Sequence, residues 1–212
     1  MSVQLYLIVF VIAILGAFIA SAVITPSVLR REYERQLKLD VTPKQMKNTE
    51  GKIKKFYSES GLSTNASIYE IAQVLNIVEG GIDANLTERA RLCEPDENGK
   101  MKVLFKKGLT KEERKFDFAH ECAHRINGDP IPNTRPGGHD KPKVEQIADY
   151  TAAALLMPLE EVYNFLVEKD YIASDKNKRY NLLCELCKIY GVSEVIALRR
   201  IKEVALLKNI QM

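Results

Sequence analysis

The most apolar part of the chain is its N-terminus, where residues 3–24 include no Asp, Glu, Lys or Arg. In a helix that rises about 1.5 Å per residue, a run of this length spans roughly 33 Å, which matches the hydrocarbon core of a bilayer. Positive charge follows the run instead of preceding it, at Arg30, Arg31, Arg35 and Lys38. The positive-inside rule therefore predicts a single-pass membrane protein with its C-terminal bulk in the cytoplasm.

A cleaved signal peptide is the alternative interpretation of this run, because Ala20-Ser21-Ala22 is typical of a cleavage site. However, no basic residue precedes the run, and the run is longer than a usual signal-peptide core. We therefore expect a transmembrane anchor at residues 1–26, which contacts the bilayer through residues 3–24. A basic linker is expected at residues 27–50.

After the linker, apolar residues follow the periods of helices and strands. Residues 67–75 have the apolar spacing of an amphipathic helix, and Gly80-Gly81 ends this region. Two short strand-like runs follow at residues 90–93 and 101–105, and they flank a turn-forming sequence. This arrangement predicts a β-hairpin.

Several helices are predicted after the hairpin. Thr110 and Glu113 have the spacing of a capping box that opens one helix, and Gly128 closes that helix. A loop rich in Pro and Gly leads to a second helix near residues 143–157, and Pro158 starts a third. Two short helices complete the chain. One small hairpin among several helices predicts an α+β fold.

Composition narrows the functional classes. The chain has 212 residues and a net charge of +3, which is too small to indicate a nucleic-acid partner. Four cysteines are too few and too unevenly spaced for a disulfide framework, so a reducing compartment is the simpler interpretation. Cys184 and Cys187 have zinc-site spacing, but no second Cys/His pair completes such a site. We interpret them as packing residues of an amphipathic helix.

The candidate metal-binding and catalytic residues lie in the sequence His120-Glu121-Cys122-Ala123-His124, inside the helix that begins at Thr110. Two of the three histidines of the chain are four residues apart here, so both imidazoles project from one helix face. This spacing is typical of two zinc ligands. Glu121 follows the first ligand, where its carboxylate can accept a proton from a water molecule at the metal. The pattern predicts a hydrolytic zinc site.

A catalytic zinc needs a third protein ligand, and the next helix offers Glu145 and Asp149 on one face. We assign Glu145 as the third ligand, because its longer side chain reaches a metal across two packed helices more easily. Asp149, one turn further along, would accept a hydrogen bond from a ligand histidine and fix its tautomer. From spacing alone the two roles are interchangeable. The small and apolar residues after Asp149 predict close helix packing.

The segments FDFAHECAH and EQIADYTAAALLMP, within residues 116–158, resemble the ImmA/IrrE family of zinc metallopeptidases. Members of this family pair an F-x-x-AHExxH helix with a later E-x-x-A-[ND]-x-x-A-x-x-LLMP helix. The resemblance implies a gluzincin-like site with a catalytic base at Glu121. The zinc ligands that it implies are His120, His124 and Glu145. It also implies a protein substrate, since family members are associated with cleaving helix-turn-helix repressors. Cys122 departs from the family, which more often has an aliphatic residue there.

Peptide hydrolysis also needs a donor for the developing oxyanion. His139 is a candidate because its glycine-flanked loop could close over the cleft. Arg125 and Tyr150 are alternatives. A loop histidine is more often an ordinary surface residue, so this assignment rests on loop composition alone.

We therefore predict an α+β, zincin-like metallopeptidase domain at residues 51–170, followed by a helix-turn-helix-like segment at 171–212. The predicted function is that of a membrane-anchored, zinc-dependent endopeptidase with a cytoplasmic catalytic domain, which cleaves a regulatory, repressor-like protein. The alternative is a non-catalytic zinc-containing sensor or binding module that acts through its C-terminal helices. In that case Arg199, Arg200 and Lys202 would contact phosphate or a partner protein, although helix packing is the first expectation for this segment.

Overall fold

The structure, a computed structural model, describes residues 39, 41–129 and 143–210. In chain order its elements are α1 (Pro43–Ser60), α2 (Ile68–Val74), β1 (Ile77–Asp83), β2 (Ala90–Leu92), β3 (Met101–Lys106), α3 (Lys111–Asn127), α4 (Lys143–Leu156), α5 (Leu159–Glu168), α6 (Lys176–Tyr190) and α7 (Glu194–Leu207). Mixed helices and a small sheet confirm the predicted α+β class. Residues 43–50, which were predicted to end the linker, belong to α1, and Thr42 caps that helix.

The single-pass membrane location predicted from the sequence is corrected by the helices of the structure. In the ranges given above, no helix combines the length and the apolar character that a bilayer crossing requires. The longest of them, α1, has 18 residues and carries Lys and Glu along its length. The segment 3–24, on which the membrane prediction rested, lies outside the described residues.

Local capping explains where α3 begins and ends. The Thr110 hydroxyl accepts a hydrogen bond from the backbone N–H of Glu113 at 3.2 Å. In return, the Glu113 carboxylate accepts one from the backbone N–H of Thr110 at 2.8 Å. These two bonds satisfy N–H groups that the first turn of a helix leaves without partners. The helix ends at Gly128, whose φ of 79° is a left-handed conformation that glycine adopts without strain. The capping box and the end predicted from the sequence are both confirmed.

The three described strands form one sheet in the order β1-β3-β2. Strands β2 and β3 are antiparallel, which confirms the predicted hairpin. Strand β1 pairs with β3 in parallel, with an irregularity between Glu79 and Gly81. A Cβ atom on Gly80 would lie 3.0 Å from the Cβ of Lys102, and Gly81 has a φ of 101°. The sequence pattern placed Gly80 and Gly81 at the end of a region. In the structure they lie inside β1, where they permit a bulge.

Helix α3 lies at the centre of the fold, between the sheet and α4. Phe118 of α3 packs its ring near Phe105 of β3, with 6.3 Å between the ring centroids. Helix α3 contacts α4, and both helices carry small side chains that are completely buried. These are Ala119, Ala123, Ala148 and Ala152. Small residues let two helix axes approach closely, so longer side chains beside them on the two helices can reach one another.

The C-terminal helix α7 is part of the same compact unit as α1, which spans Leu39–Met212. Its residues Ala197, Ile201 and Val204 are completely buried and belong to the hydrophobic core. Helix α7 contacts α1, α4, α5 and α6. The helix-turn-helix-like segment predicted from the sequence therefore contributes core packing.

Candidate metal centre

Helix α3 brings the two motif histidines together in the protein interior. His120 is 3% exposed and His124 is 2% exposed. Their Nε2 atoms lie 3.0 Å apart, as expected for side chains separated by one helical turn. Without another group between them, two imidazole nitrogens at this distance can share only a proton. A group bound between the two rings can therefore contact both Nε2 atoms.

Glu145 of α4 faces the same point. Its Oε2 lies 3.2 Å from Nε2 of His120, and its Oε1 lies 3.5 Å from Nε2 of His124. The side chain is buried, with 7% of the residue exposed. Ligand atoms from all three residues lie within 4.8 Å of one another, and this group can hold a metal ion. Two nitrogen atoms and one carboxylate are a donor set that suits zinc.

Carboxylates also face the outward nitrogens of both rings. Nδ1 of His120 lies 2.8 Å from Oδ1 of Asp149, and Nδ1 of His124 lies 3.0 Å from Oδ2 of Asp129. Such partners fix the tautomer in which the Nε2 lone pair is directed at a metal. The residues present fit a metal ion. Each imidazole has a carboxylate beside its Nδ1, and both Nε2 atoms face the carboxylate of Glu145.

Asp129 is a residue that the sequence interpretation missed. It follows the Gly128 cap, and its backbone N–H donates to the carbonyl oxygen of His124 at 2.9 Å. The helix end therefore turns the Asp129 side chain back toward the His124 ring. An acidic residue directly after the capping glycine was the available signal, although its significance depends on the left-handed turn that the cap introduces.

Glu121 and Cys122 occupy buried positions between the two histidines. Glu121 is 1% exposed and Cys122 is completely buried. Burial, followed by the charge of Glu121, raises the pKa of the Cys122 thiol well above its ordinary value. Cys122 is therefore an uncharged packing residue, in agreement with its place in the hydrophobic core.

Of the three candidate oxyanion donors, the structure describes Arg125 and Tyr150. His139 lies outside the described ranges. Arg125 is exposed at the end of α3. Tyr150 is completely buried, and its hydroxyl donates a hydrogen bond of 2.6 Å to Glu50. Because this hydroxyl is already used in α1–α4 contact, Tyr150 is a poor donor for a substrate.

Two arginines that the sequence interpretation assigned to a surface role are buried. Arg200 is 0% exposed; its Nε donates to the carbonyl oxygen of Met157, and its Nη2 lies 2.9 Å from Glu50. Arg199 is 9% exposed. Their burial argues against the alternative in which they contact phosphate or a partner, and it agrees with the packing role that was expected first for this segment. A single sequence did not reveal this, because the acidic partner Glu50 lies 150 residues away.

The chain is similar to a known protein family and to a solved structure. A sequence model of the family described as Peptidase_M78, IrrE N-terminal-like domain, matches residues 82–202. A solved structure that the chain matches is described as a Mycobacterium tuberculosis transcriptional regulator, at 20% identity and a TM-score of 0.44. The match covers 79% of this chain and 48% of that chain, so the present chain spans about half the length of that protein. A comparison with curated proteins gives no match.

The family match indicates a metallopeptidase-like domain, and the buried group of two histidines and a glutamate can hold a metal ion. The matched region covers more than half of the chain, and it includes the whole of α3 and α4. The chain belongs to the Peptidase_M78 family, the IrrE N-terminal-like peptidases. The resemblance drawn from the two sequence segments is therefore confirmed.

Proposed function

We propose that the protein is a zinc-dependent endopeptidase, with His120, His124 and Glu145 as the zinc ligands and Glu121 as the general base. One observation carries the proposal. The Nε2 atoms of both histidines and the Glu145 carboxylate converge within hydrogen-bonding distance, while the two Nδ1 atoms face carboxylates. A peptidase family supplies the class of reaction.

His120, His124 and Glu145 would hold a zinc ion, which would supply Lewis-acid chemistry at this site. The chain's own residues then perform the proton transfers. Glu121, next to His120 and buried, accepts the proton of the attacking water and passes it to the leaving amine. Asp149 and Asp129 hold the two imidazoles in the orientation that directs Nε2 inward.

The proposed substrate is a protein, and the family resemblance favours a regulatory, repressor-like one. N-terminal profiling by mass spectrometry tests this directly. The zinc-loaded full chain is incubated with a lysate of the organism's own cells, and we expect new N-termini from one or a few proteins. A zinc-loaded, folded chain that produces no new N-termini would contradict an endopeptidase function.

The rival function, a binding module that acts through its C-terminal helices, is less well supported. That function needs basic side chains of α7 at the surface. Arg199 and Arg200 are instead buried in contacts with acidic side chains. Lys202 is half-buried and provides one cation, which is a weak basis for phosphate binding.

Two isosteric substitutions distinguish the roles of the neighbouring carboxylates. We expect Asp149→Asn to weaken zinc binding by about 10–100-fold, as is typical for a hydrogen-bond partner of a metal ligand. Glu145→Gln should weaken it further, because the charged ligand itself is lost. Zinc dissociation constants measured by competition with a chelator provide the comparison. A larger loss for Asp149→Asn would exchange the two roles.

A further inference from the structure

A cluster of buried charges on α7 adjoins the metal centre. Glu203 is 1% exposed and Arg200 is 0% exposed. Glu203 follows Arg199 by four residues and Arg200 by three, so it can contact both arginines from the next turn of the helix. Charged side chains lose favourable hydration when they are buried, and they remain charged there only with partners. The partners of this cluster therefore indicate what it does.

Arg199 connects the cluster to the site. Its Nη1 lies 3.9 Å from Oδ2 of Asp149, and its Nε donates to Oε1 of Glu203 at 3.1 Å. The other oxygen of the same aspartate, Oδ1, faces Nδ1 of His120 at 2.8 Å. One carboxylate thus lies between a guanidinium group from α7 and a candidate metal ligand from α3.

The far side of the cluster is also held in place. Oε2 of Glu203 lies 3.5 Å from Nη1 of Arg200. Arg200 in turn pairs with Glu50 of α1 at 2.9 Å and donates to the carbonyl oxygen of Met157 at 2.9 Å. Because Glu203 contacts both arginines, it holds the Arg199 guanidinium from behind. The orientation of Arg199 is therefore determined by packed helices and not by solvent.

We propose that Arg199 is a positioning residue of the metal centre: it holds Asp149 so that His120 keeps the tautomer and ring orientation that direct its Nε2 inward. This inference rests on the proposed function, because it concerns the same site. It makes the C-terminal helix a structural component of the metal centre. An arginine is needed because its planar fork reaches two carboxylates at once, whereas the single ammonium of lysine does not reproduce that geometry.

The zinc affinity of the full chain tests the proposal, with competition against a chelator as the readout. We expect Arg199→Met to raise the zinc dissociation constant by up to about 10-fold, the lower end of the effect of losing a ligand's outer partner, because Asp149 itself remains in place. Arg199→Lys should show a smaller loss of the same sign. Lys202→Met is the matched control, since it removes a positive charge from the same helix and should leave zinc affinity unchanged.

A double-mutant cycle separates positioning from a general packing effect. If Arg199 acts through Asp149, Arg199→Met should have little further effect on zinc affinity in an Asp149→Asn background. A packing role would instead reduce zinc affinity by the same factor in both backgrounds, and that result would overturn the proposal. Circular dichroism of each zinc-free variant establishes that it is folded.

The outcomes also separate this inference from the proposed function. A folded wild-type chain that binds no zinc would refute the zinc site itself. A wild-type chain that binds zinc, with unchanged affinity in Arg199→Met, would refute only the positioning role. If Arg199→Met does not fold, the Arg199→Lys variant tests the proposal instead. Weaker zinc binding by Arg199→Lys would support the positioning role, and binding as tight as in the wild type would contradict it.

Discussion

Glu121→Gln is expected to lower the rate of substrate cleavage by about 10²–10⁴-fold, the usual contribution of a general base. Glutamine has nearly the same shape as glutamate, but its amide cannot accept a proton at neutral pH. Because the proposed zinc ligands are untouched, the variant should bind zinc as the wild type does. Loss of cleavage with retained metal would therefore identify a catalytic carboxylate and not a ligand.

The appearance of substrate N-termini over time, in the lysate described above, measures this effect. His124→Ala is the informative control, because we expect it to lose both zinc and cleavage. Cleavage by zinc-loaded Glu121→Gln at the wild-type rate would remove Glu121 from the mechanism. A variant that loses zinc along with activity would instead place Glu121 among the groups that hold the metal.

Arg200→Met is expected to lower the free energy of unfolding by about 3–5 kcal/mol, the typical cost of removing one partner from a buried ion pair. Arg200 is completely buried between Glu50 and Glu203. Burial lowers its pKa, but electrostatic interactions with Glu50, Tyr150 and Glu203 more than offset this, so its pKa lies above the ordinary value. Methionine fills much of the same volume, but it removes the positive charge that Glu50 and Glu203 face in the core.

Guanidinium denaturation of the full chain measures this loss as a shift in midpoint at constant slope. Lys202→Met, two residues along α7, is the control and should change the stability by about 0.5 kcal/mol or less. If Arg200→Met were as stable as that control, the buried cluster would contribute nothing to the packing of α7. The support that we infer for Arg199 would then also lose its basis.

Local signals in the sequence predicted the parts of the fold that depend on nearby residues. The capping box of Thr110 and Glu113, the end at Gly128 and the hairpin of β2 and β3 all arise within a few residues of chain. The placement of His120 and His124 on one face follows from helix geometry alone. These features were predicted because their causes lie within one or two turns.

Features that depend on distant parts of the chain were missed. Strand β1 is parallel to β3, and its Gly80-Gly81 bulge is accommodated by the neighbouring strand, so in isolation it has the pattern of a turn. The burial of Arg199 and Arg200 depends on acidic partners from α1, α4 and α7, which no periodicity reveals. From the sequence, the basic residues near the C-terminus could therefore be given a surface role only as an alternative to packing, and their ion-pair partners could not be named.

The position of Glu145 falls between these two cases. Its spacing from Asp149 placed both carboxylates on one face of α4, but spacing alone left their roles interchangeable. In the structure Glu145 lies beside both Nε2 atoms, whereas Asp149 lies beside Nδ1 of His120. Which carboxylate faces inward is decided by the register of α4 against α3. Spacing within one helix does not determine that register.

The central claim is that His120, His124 and Glu145 hold a zinc ion. Elemental analysis of the purified full chain, beside His120→Ala, tests it most directly. We predict about one zinc per wild-type chain, the content of a single catalytic site, and almost none in the variant. A folded wild-type chain without zinc, or a His120→Ala variant that retains it, would contradict the claim.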